Sequence, residues 1–409
     1  MRCQAPLAQP MRNFDVIIVG GGPAGSTAAW ALTRQGANVV VWDRRTFPRD
    51  KICAGWITPQ VASSLQLDLA AYAASGRTCQ PIAGFQVSRQ GDREARVRYS
   101  DTVSYGIRRC ELDDFLLRRS GAELRLGEPL RTLDRHGGEW TLNDAVRAPV
   151  LIGAGGHFCP VAQRLGARLG HGEPIIAAQE IELALAPADA AACGVDPALP
   201  ELYFTRDLAG YGWVFRKGDY INIGLGRQGN AKLADHVAAF LAWLVSRGKI
   251  PAALAGKLHG HPYLLYGQAP RPLLGDGALL IGDAAGLAYP KSGEGIRPAV
   301  ESGLLAARTI VEAGGRGDAN ALAPYAARIE ARFGPRQAAS SALDLLPAWM
   351  LPPLAGRLFG TAWFARRIVL DEWFFHAAQP ALMPPPAIQR QPERADPASH
   401  GTAAVESAL

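Results

Sequence analysis

The sequence is short of lysine, of clustered cysteine and of long hydrophobic runs, and each shortage excludes something. Its six cysteines, Cys3, Cys53, Cys79, Cys110, Cys159 and Cys193, form no CxxC and no Cys/His cluster. That scatter argues against a metal site and against a disulfide framework, and it points to a reducing cytoplasm. No stretch reaches about 18 uninterrupted apolar residues, so no helix is expected to span a bilayer. The first twelve residues hold two prolines and no apolar core; they read as a disordered extension rather than a signal peptide, with Met11 as a candidate start. Nearly all of the 43 basic residues are Arg, and the net charge is +6. Yet no dense basic run is interleaved with aromatics, so nucleic acid is not expected as a partner.

What is present describes a globular chain. Of 409 residues, 48% are hydrophobic and 20% charged, enough to build a sizeable core. Phe14 to Val19 is a short apolar, β-branched run broken at Gly20 to Gly25. An Ala-rich segment follows to Gln35, and Asn38 to Trp42 is a second apolar run ending at Asp43. This is a β-turn-α-β unit, the building block of a parallel sheet.

The first motif is Gly20-Gly21-Gly22-Pro23-Ala24-Gly25, a G-x-G-x-x-G pattern. Gly20 permits the tight turn, Gly22 lets backbone approach a pyrophosphate, and Gly25 lets helix pack close to strand. The helix that opens at Pro23 and Ala24 offers N–H groups and a positive dipole end to the phosphates. Asp43, with Arg44 beside it, stands where an acid accepts ribose hydroxyls. This motif does not separate FAD from NAD.

The second motif does. Leu279-Leu280-Ile281-Gly282-Asp283 is a buried strand ending in Gly-Asp, and it continues to Ser292-Gly293-Glu294-Gly295-Ile296, which opens a helix. A flavin needs a carboxylate for its ribityl hydroxyls and N–H donors at its pyrimidine edge. Asp283 supplies the first, and the helix start at Gly293, Gly295 and Ile296 supplies the second. The pair of motifs resembles the glutathione-reductase-type FAD fold, in the branch of p-hydroxybenzoate-hydroxylase-type aromatic hydroxylases, flavin halogenases and geranylgeranyl reductases. In that branch an arginine just before a helix of the first domain lies along the cofactor, and Arg109 occupies the matching place.

Three further stretches resemble the geranylgeranyl reductases. Phe47-Pro48-Arg49-Asp50-Lys51-Ile52-Cys53-Ala54-Gly55 is similar to that family's F-P-R-D-K-x-C-G-G, with Ala54 in place of a glycine; the resemblance puts Cys53 near the flavin ring. Tyr211-Gly212-Trp213-Val214-Phe215 is similar to its Y-x-W-x-F-P-K-G element, with Arg216 in place of the proline. On a strand Tyr211, Trp213 and Phe215 share one face, which can wall an apolar substrate cavity or serve as an ordinary core face. The segment from Pro290 to Gly303 reads like the family's P-x-x-G-E-G-I stretch. One stretch departs: where many relatives carry G-A-D-G-x-x-S, this chain has Gly153-Ala154-Gly155-Gly156-His157-Phe158-Cys159, which weakens the expectation of ordinary NADPH handling. His157 and Cys159, two residues apart, admit a thiolate pair or a structural turn, and the turn is the preferred reading.

The expected fold is therefore α/β: a Rossmann-type, three-layer FAD domain with a parallel sheet, plus an inserted substrate domain with a mixed or antiparallel sheet, plus C-terminal helices. The expected boundaries are 13–80, 105–170 and 268–330 for the FAD domain and 81–104 with 171–267 for the substrate domain. A helical region would cover 331–383 and a disordered tail 384–409. The expected activity is hydride transfer between flavin N5 and a carbon–carbon double bond of an apolar, isoprenoid-like substrate, with Cys53, Tyr211, Trp213 and Phe215 as candidate catalytic residues. The alternatives are a flavin monooxygenase acting on an aromatic or polyketide-like substrate, and an FAD-binding electron relay without turnover. NAD(P)H is a candidate electron donor. Aromatics and arginines between Leu345 and Phe375 suggest peripheral membrane contact, a pocket cap or, as the preferred reading, a C-terminal helix docked on the core. Cys53, His157, Cys159 and Tyr211 are the candidate proton donors.

Overall fold

The computed structural model describes residues 11–168, 173–229, 232–252, 254, 258–336 and 356–386. The principal strands in chain order are β1 (Val16–Val19), β2 (Val39–Asp43), β3 (Gly84–Arg89), β4 (Ala95–Arg98), β5 (Glu123–Leu126), β6 (Val150–Gly153), β7 (Ile175–Ala184), β8 (Glu201–Phe204), β9 (Gly210–Lys217), β10 (Tyr220–Gln228), β11 (His259–Leu264) and β12 (Ala278–Leu280). The principal helices are α1 (Pro23–Thr33), α2 (Arg109–Arg118), α3 (Leu233–Ser246) and α4 (Ile296–Glu312).

One sheet runs β12-β6-β1-β2-β5 with every pairing parallel, and a short antiparallel strand, Leu274–Gly275, lies at its edge. Its central strands are apolar throughout and buried, as strands covered on both faces must be. The helix α1 crosses from β1 to β2, with Pro at its first position where the missing N–H costs nothing. The helix α4 packs on α1, and a Cβ on Gly303 would lie 2.6 Å from the Ala24 carbonyl oxygen; only a glycine lets the two helices approach this closely.

The second sheet runs β11-β7-β10-β9-β8-β3-β4, antiparallel except where β8 meets β3. Its two faces differ. On one, Leu233, Val237, Phe240 and Leu244 of α3, spaced at helical periodicity, pack with Val214, Ile221, Ile223 and Leu225. The other carries Ala178, Glu180 and Glu182 of β7, Asn222, Gly224 and Gly226 of β10, and Tyr211, Trp213 and Phe215 of β9 as cross-strand neighbours. A π-helical segment, Ala365–Phe374, buries Ala365, Val369, Leu370 and Phe374 on this face.

At the N-terminus, Arg12–Asn13 is a short strand paired with Val146–Arg147, so order begins inside the stretch expected to be a loose extension. Residues 1–10, 337–355 and 387–409 lie outside the described residues. With them lie Cys3, Trp349, Leu351 and most of the expected tail.

Candidate active site

The cavity between the two sheets brings the two glycine motifs together. It has a volume of about 350 Å³ and is lined by the dinucleotide turn, the loop from Asp43 to Ala54, the Asp283 and Gly293–Ile296 stretch, and the second sheet's aromatic face. Of the expected cofactor residues, Gly20, Gly22, Pro23, Ala24, Asp43, Arg44, Arg109, Asp283, Gly293, Gly295 and Ile296 all line it. Gly25 and Gly282 do not. Their place is in packing: a Cβ on Gly25 would meet the Gly20 carbonyl oxygen at 1.9 Å, and one on Gly282, where φ is +58°, would meet the Ala24 Cβ at 3.0 Å. They let the second motif close on the first.

These surroundings suit a dinucleotide. No side chain caps α1 and no acid stands in its first turn, so its first N–H groups are left open toward the cavity. A Cβ on Gly22 would come within 4 Å of nothing but the Arg49 guanidinium, leaving the backbone open to an incoming phosphate. Asp43 accepts the Gly21 and Arg45 N–H groups at 2.7 and 2.8 Å, which orients its carboxylate and braces the turn. Arg109 is buried, not solvated, and makes a two-pronged pair with Asp113 at 2.7 Å per contact; Arg49 joins the same carboxylate at 3.3 Å.

Asp283 is the acid in the cavity that its neighbours hold ionised, whereas burial pushes Glu180 and Glu294 up to about 7. Burial alone would raise Asp283, but the His261 ring 3.6 Å away and the Lys51 ammonium outweigh that and hold it down at about 2. Lys51 itself is lowered to about 8 by burial, with the Arg109 charge acting in the same direction. His261 and Lys51 were not anticipated from sequence. The register of β11 carries His261 beside Ala178 on the cavity face, a placement that depends on strand pairing.

The candidate catalytic residues divide. Tyr211 and Trp213 line the cavity with Phe374 and Trp56, and the Tyr211 and Phe374 rings meet edge to face at 5.4 Å. Phe215 lies on the same strand face but is wholly buried against Trp56 and Phe85, so it supports the wall without forming it. Cys53 lines the cavity on a loop clamped to the second sheet: its N–H donates to Glu180 Oε1 at 2.7 Å, and its carbonyl accepts from Asn222 Nδ2 at 3.2 Å. Asn222 also receives the Trp213 indole N–H at 2.7 Å, so one side chain sets both the loop and the aromatic wall.

Cys159 is fully buried and burial raises its thiol, while His157 is lowered to about 4 by burial and by the neighbouring Arg271. Their segment is a turn in which a Cβ on Gly155 would touch Cys159 Sγ at 3.2 Å. It is not a thiolate pair. Glu180 was missed altogether. Burial pushes its carboxyl up to about 7 against the pull of Lys217, and its Oε2 is buried with no hydrogen-bond partner. The alternation of Glu180 and Glu182 puts the two acids on one strand face, but nothing local says that this face borders a cavity.

Comparison with known proteins agrees with this geometry. The family described as FAD dependent oxidoreductase matches residues 15–91. A menaquinone reductase of Mycobacterium tuberculosis is 32% identical over 73% of this chain and 76% of its own length. A geranylgeranyl diphosphate reductase of Rhodobacter capsulatus is 30% identical over 73% and 75%. A digeranylgeranylglycerophospholipid reductase of Methanopyrus kandleri is 30% identical over 78% and 87%. Among solved structures, a geranylgeranyl bacteriochlorophyll reductase-like protein of Thermoplasma acidophilum aligns with a TM-score of 0.72 at 21% identity, covering 89% of this chain and 97% of that one. The flavin-dependent brominase Bmp2 shares the fold at a TM-score of 0.64 and 17% identity, over 89% and 92%. An uncapped dinucleotide turn, a charge-held Asp283 and relatives of this similarity lead to one assignment: the chain is an FAD-dependent oxidoreductase of the geranylgeranyl reductase family.

Proposed function

We propose that the enzyme reduces a carbon–carbon double bond in an isoprenoid-bearing, largely apolar substrate. The observation that carries this reading is the single cavity in which Tyr211, Trp213, Trp56 and Phe374 face the dinucleotide turn and Asp283. An apolar wall directly beside a flavin site suits a hydrocarbon target. The relatives' names point the same way: menaquinone, geranylgeranyl diphosphate and a digeranylgeranyl lipid differ in head group and share an isoprenoid chain.

FAD, when bound, supplies the hydride. The protein's share is to hold the parts and keep water out. Asp283 and the uncapped start of α1 would hold the cofactor's hydroxyl and phosphate groups. Arg109, fixed by Asp113, holds positive charge at the cavity wall, and the α4 N-terminus at Gly295–Ile296 would offer N–H groups to negative charge on a reduced flavin. Glu180 and Asn222 fix the Cys53 loop over the aromatic wall. The physiological reductant in this reading is a nicotinamide or another two-electron donor. Lipid contact through the exposed Trp363 with Arg366 and Arg367 belongs to the same proposal.

The test is anaerobic. The bound flavin is reduced chemically, geranylgeranyl diphosphate or a prenylated quinone is added, and the absorbance of oxidised flavin is followed. Its return without oxygen is the expected result. A flavin that stays bleached until air enters, with a hydroxylated product, would replace alkene reduction by oxygen-dependent chemistry.

A further inference from the structure

We propose that Glu180 is the proton donor to the double bond, an inference that rests on the alkene-reduction reading above. Reducing an isolated alkene needs a hydride on one carbon and a proton on the other. Three of the four proton-donor candidates named from sequence do not serve, and the fourth, Cys53, positions Glu180 through its backbone. The Tyr211 hydroxyl is already donating to the Ser292 carbonyl at 2.5 Å, and burial raises it well above its ordinary range. His157 is held neutral against Arg271 and Glu173, and Cys159 is fully buried off the cavity. Cys53 lines the cavity, and its backbone N–H holds Glu180 Oε1 at 2.7 Å.

Glu180 meets each requirement. It lines the cavity yet is only 5% exposed, and one carboxyl oxygen is fixed by the Cys53 N–H while the other has no partner. It lies across the sheet from Trp213, separated by Gly224, which has no side chain to intervene. A Cβ there would lie 2.2 Å from the Trp213 ring and 2.8 Å from the Glu180 Cβ. The carboxyl and the aromatic wall therefore border the same space. The charged groups facing it are Lys51 from the loop, Glu182 on its own strand and Lys217 from β9, with Cys53, Tyr211, Tyr263, His259 and His261 as the other titratable neighbours. Lys217 is committed to Glu182 at 2.7 Å, which leaves Glu180 without a salt-bridge partner. Burial keeps it protonated up to about pH 7, where a donor of this kind is most useful.

The step balances. The π bond breaks as one carbon takes the hydride from reduced FAD and the other takes the Glu180 Oε2 proton. Two C–H bonds form, the flavin is left oxidised, and the carboxylate regains a proton from solvent.

The experiment compares the wild-type and Glu180→Gln holoenzymes after anaerobic chemical reduction, with geranylgeranyl diphosphate and a prenylated quinone as probes. Glu180→Gln is expected to slow flavin reoxidation by the probe by roughly 100-fold or more, while reoxidation by oxygen and FAD content stay at wild-type levels. The wild-type rate should fall about tenfold per pH unit above the Glu180 ionisation near pH 7, and the residual Glu180→Gln rate should not. In flavin-free protein a raised carboxyl stabilises fully below its unfolded value of 4.5 and less as pH rises through about 7. The melting temperature of wild type should therefore drop relative to Glu180→Gln across that window. Equal rates in both proteins overturn the assignment and leave alkene reduction standing; failure of the wild type with both probes overturns both. Should Glu180→Gln lose its flavin, the wild-type pH profile decides, and a flat profile from pH 6 to 9 rejects Glu180.

Discussion

Asp283 shows how a single buried acid comes to be held ionised. Its desolvation is opposed by His261 and Lys51, which lower it to about 2, so at neutral pH it is a full negative charge that can accept cofactor hydroxyls. Asp283→Asn keeps the shape and removes the charge. Hydrogen bonds to a charged group contribute about 1.5–3 kcal/mol, so FAD affinity should weaken by roughly 10- to 150-fold, read by the recovery of flavin fluorescence on dilution. Unchanged affinity would mean that Asp283 does not contact the cofactor. Asp283 was legible in the sequence because its Gly-Asp follows a buried strand. Glu180 was not, since nothing local marks one acid of a strand as facing a cavity.

Among the elements, β10 decides the site although it contributes no reactive group. Gly224 and Gly226 sit in the middle of a seven-stranded sheet, where glycine costs strand stability and usually signals a close approach. At Gly224 what approaches is the Trp213 indole from β9 on one side and Glu180 from β7 on the other. Gly224→Ala would push a methyl group into that ring. Overpacking costs about 1–3 kcal/mol, so a lower midpoint in denaturant is expected, together with loss of probe-driven flavin reoxidation. Retained midpoint and retained rate would show that the Trp213 wall relaxes freely. The period-two pattern of Tyr211, Trp213 and Phe215 gave their common face, but how far each reaches into the cavity follows from the helix laid over the strand's far end. The π-helical segment with Phe374 and Phe375 closes over Trp56, which in turn covers Phe215.

At the scale of the molecule, no helix among the described residues is long and apolar enough to cross a membrane. Trp363 is 66% exposed, Arg366 and Arg367 lie beside it, and the chain carries a net charge of +6. Anionic vesicles should retain the protein in co-sedimentation; high salt should weaken retention by screening the surface attraction, and Trp363→Ala should weaken it further by removing the aromatic anchor. Equal recovery with and without vesicles would remove lipid contact from the proposal.

The sequence by itself determined the cofactor and the architecture that holds it. A glycine turn must follow a strand, a Gly-Asp must end one, and both rules are local because backbone geometry enforces them within a few residues. The aromatic alternation at 211–215 and the parallel-sheet strands were local for the same reason. Only the tertiary structure decided which glycines face the cavity and which serve packing, that Arg109 is buried on Asp113, that Phe215 stands behind the wall, and that Lys51, His261 and Glu180 line the same cavity. Those residues come from separate strands and a loop, and their protonation depends on burial and on charges distant in sequence. Long-range packing fixes these quantities, and no window of neighbouring residues contains them.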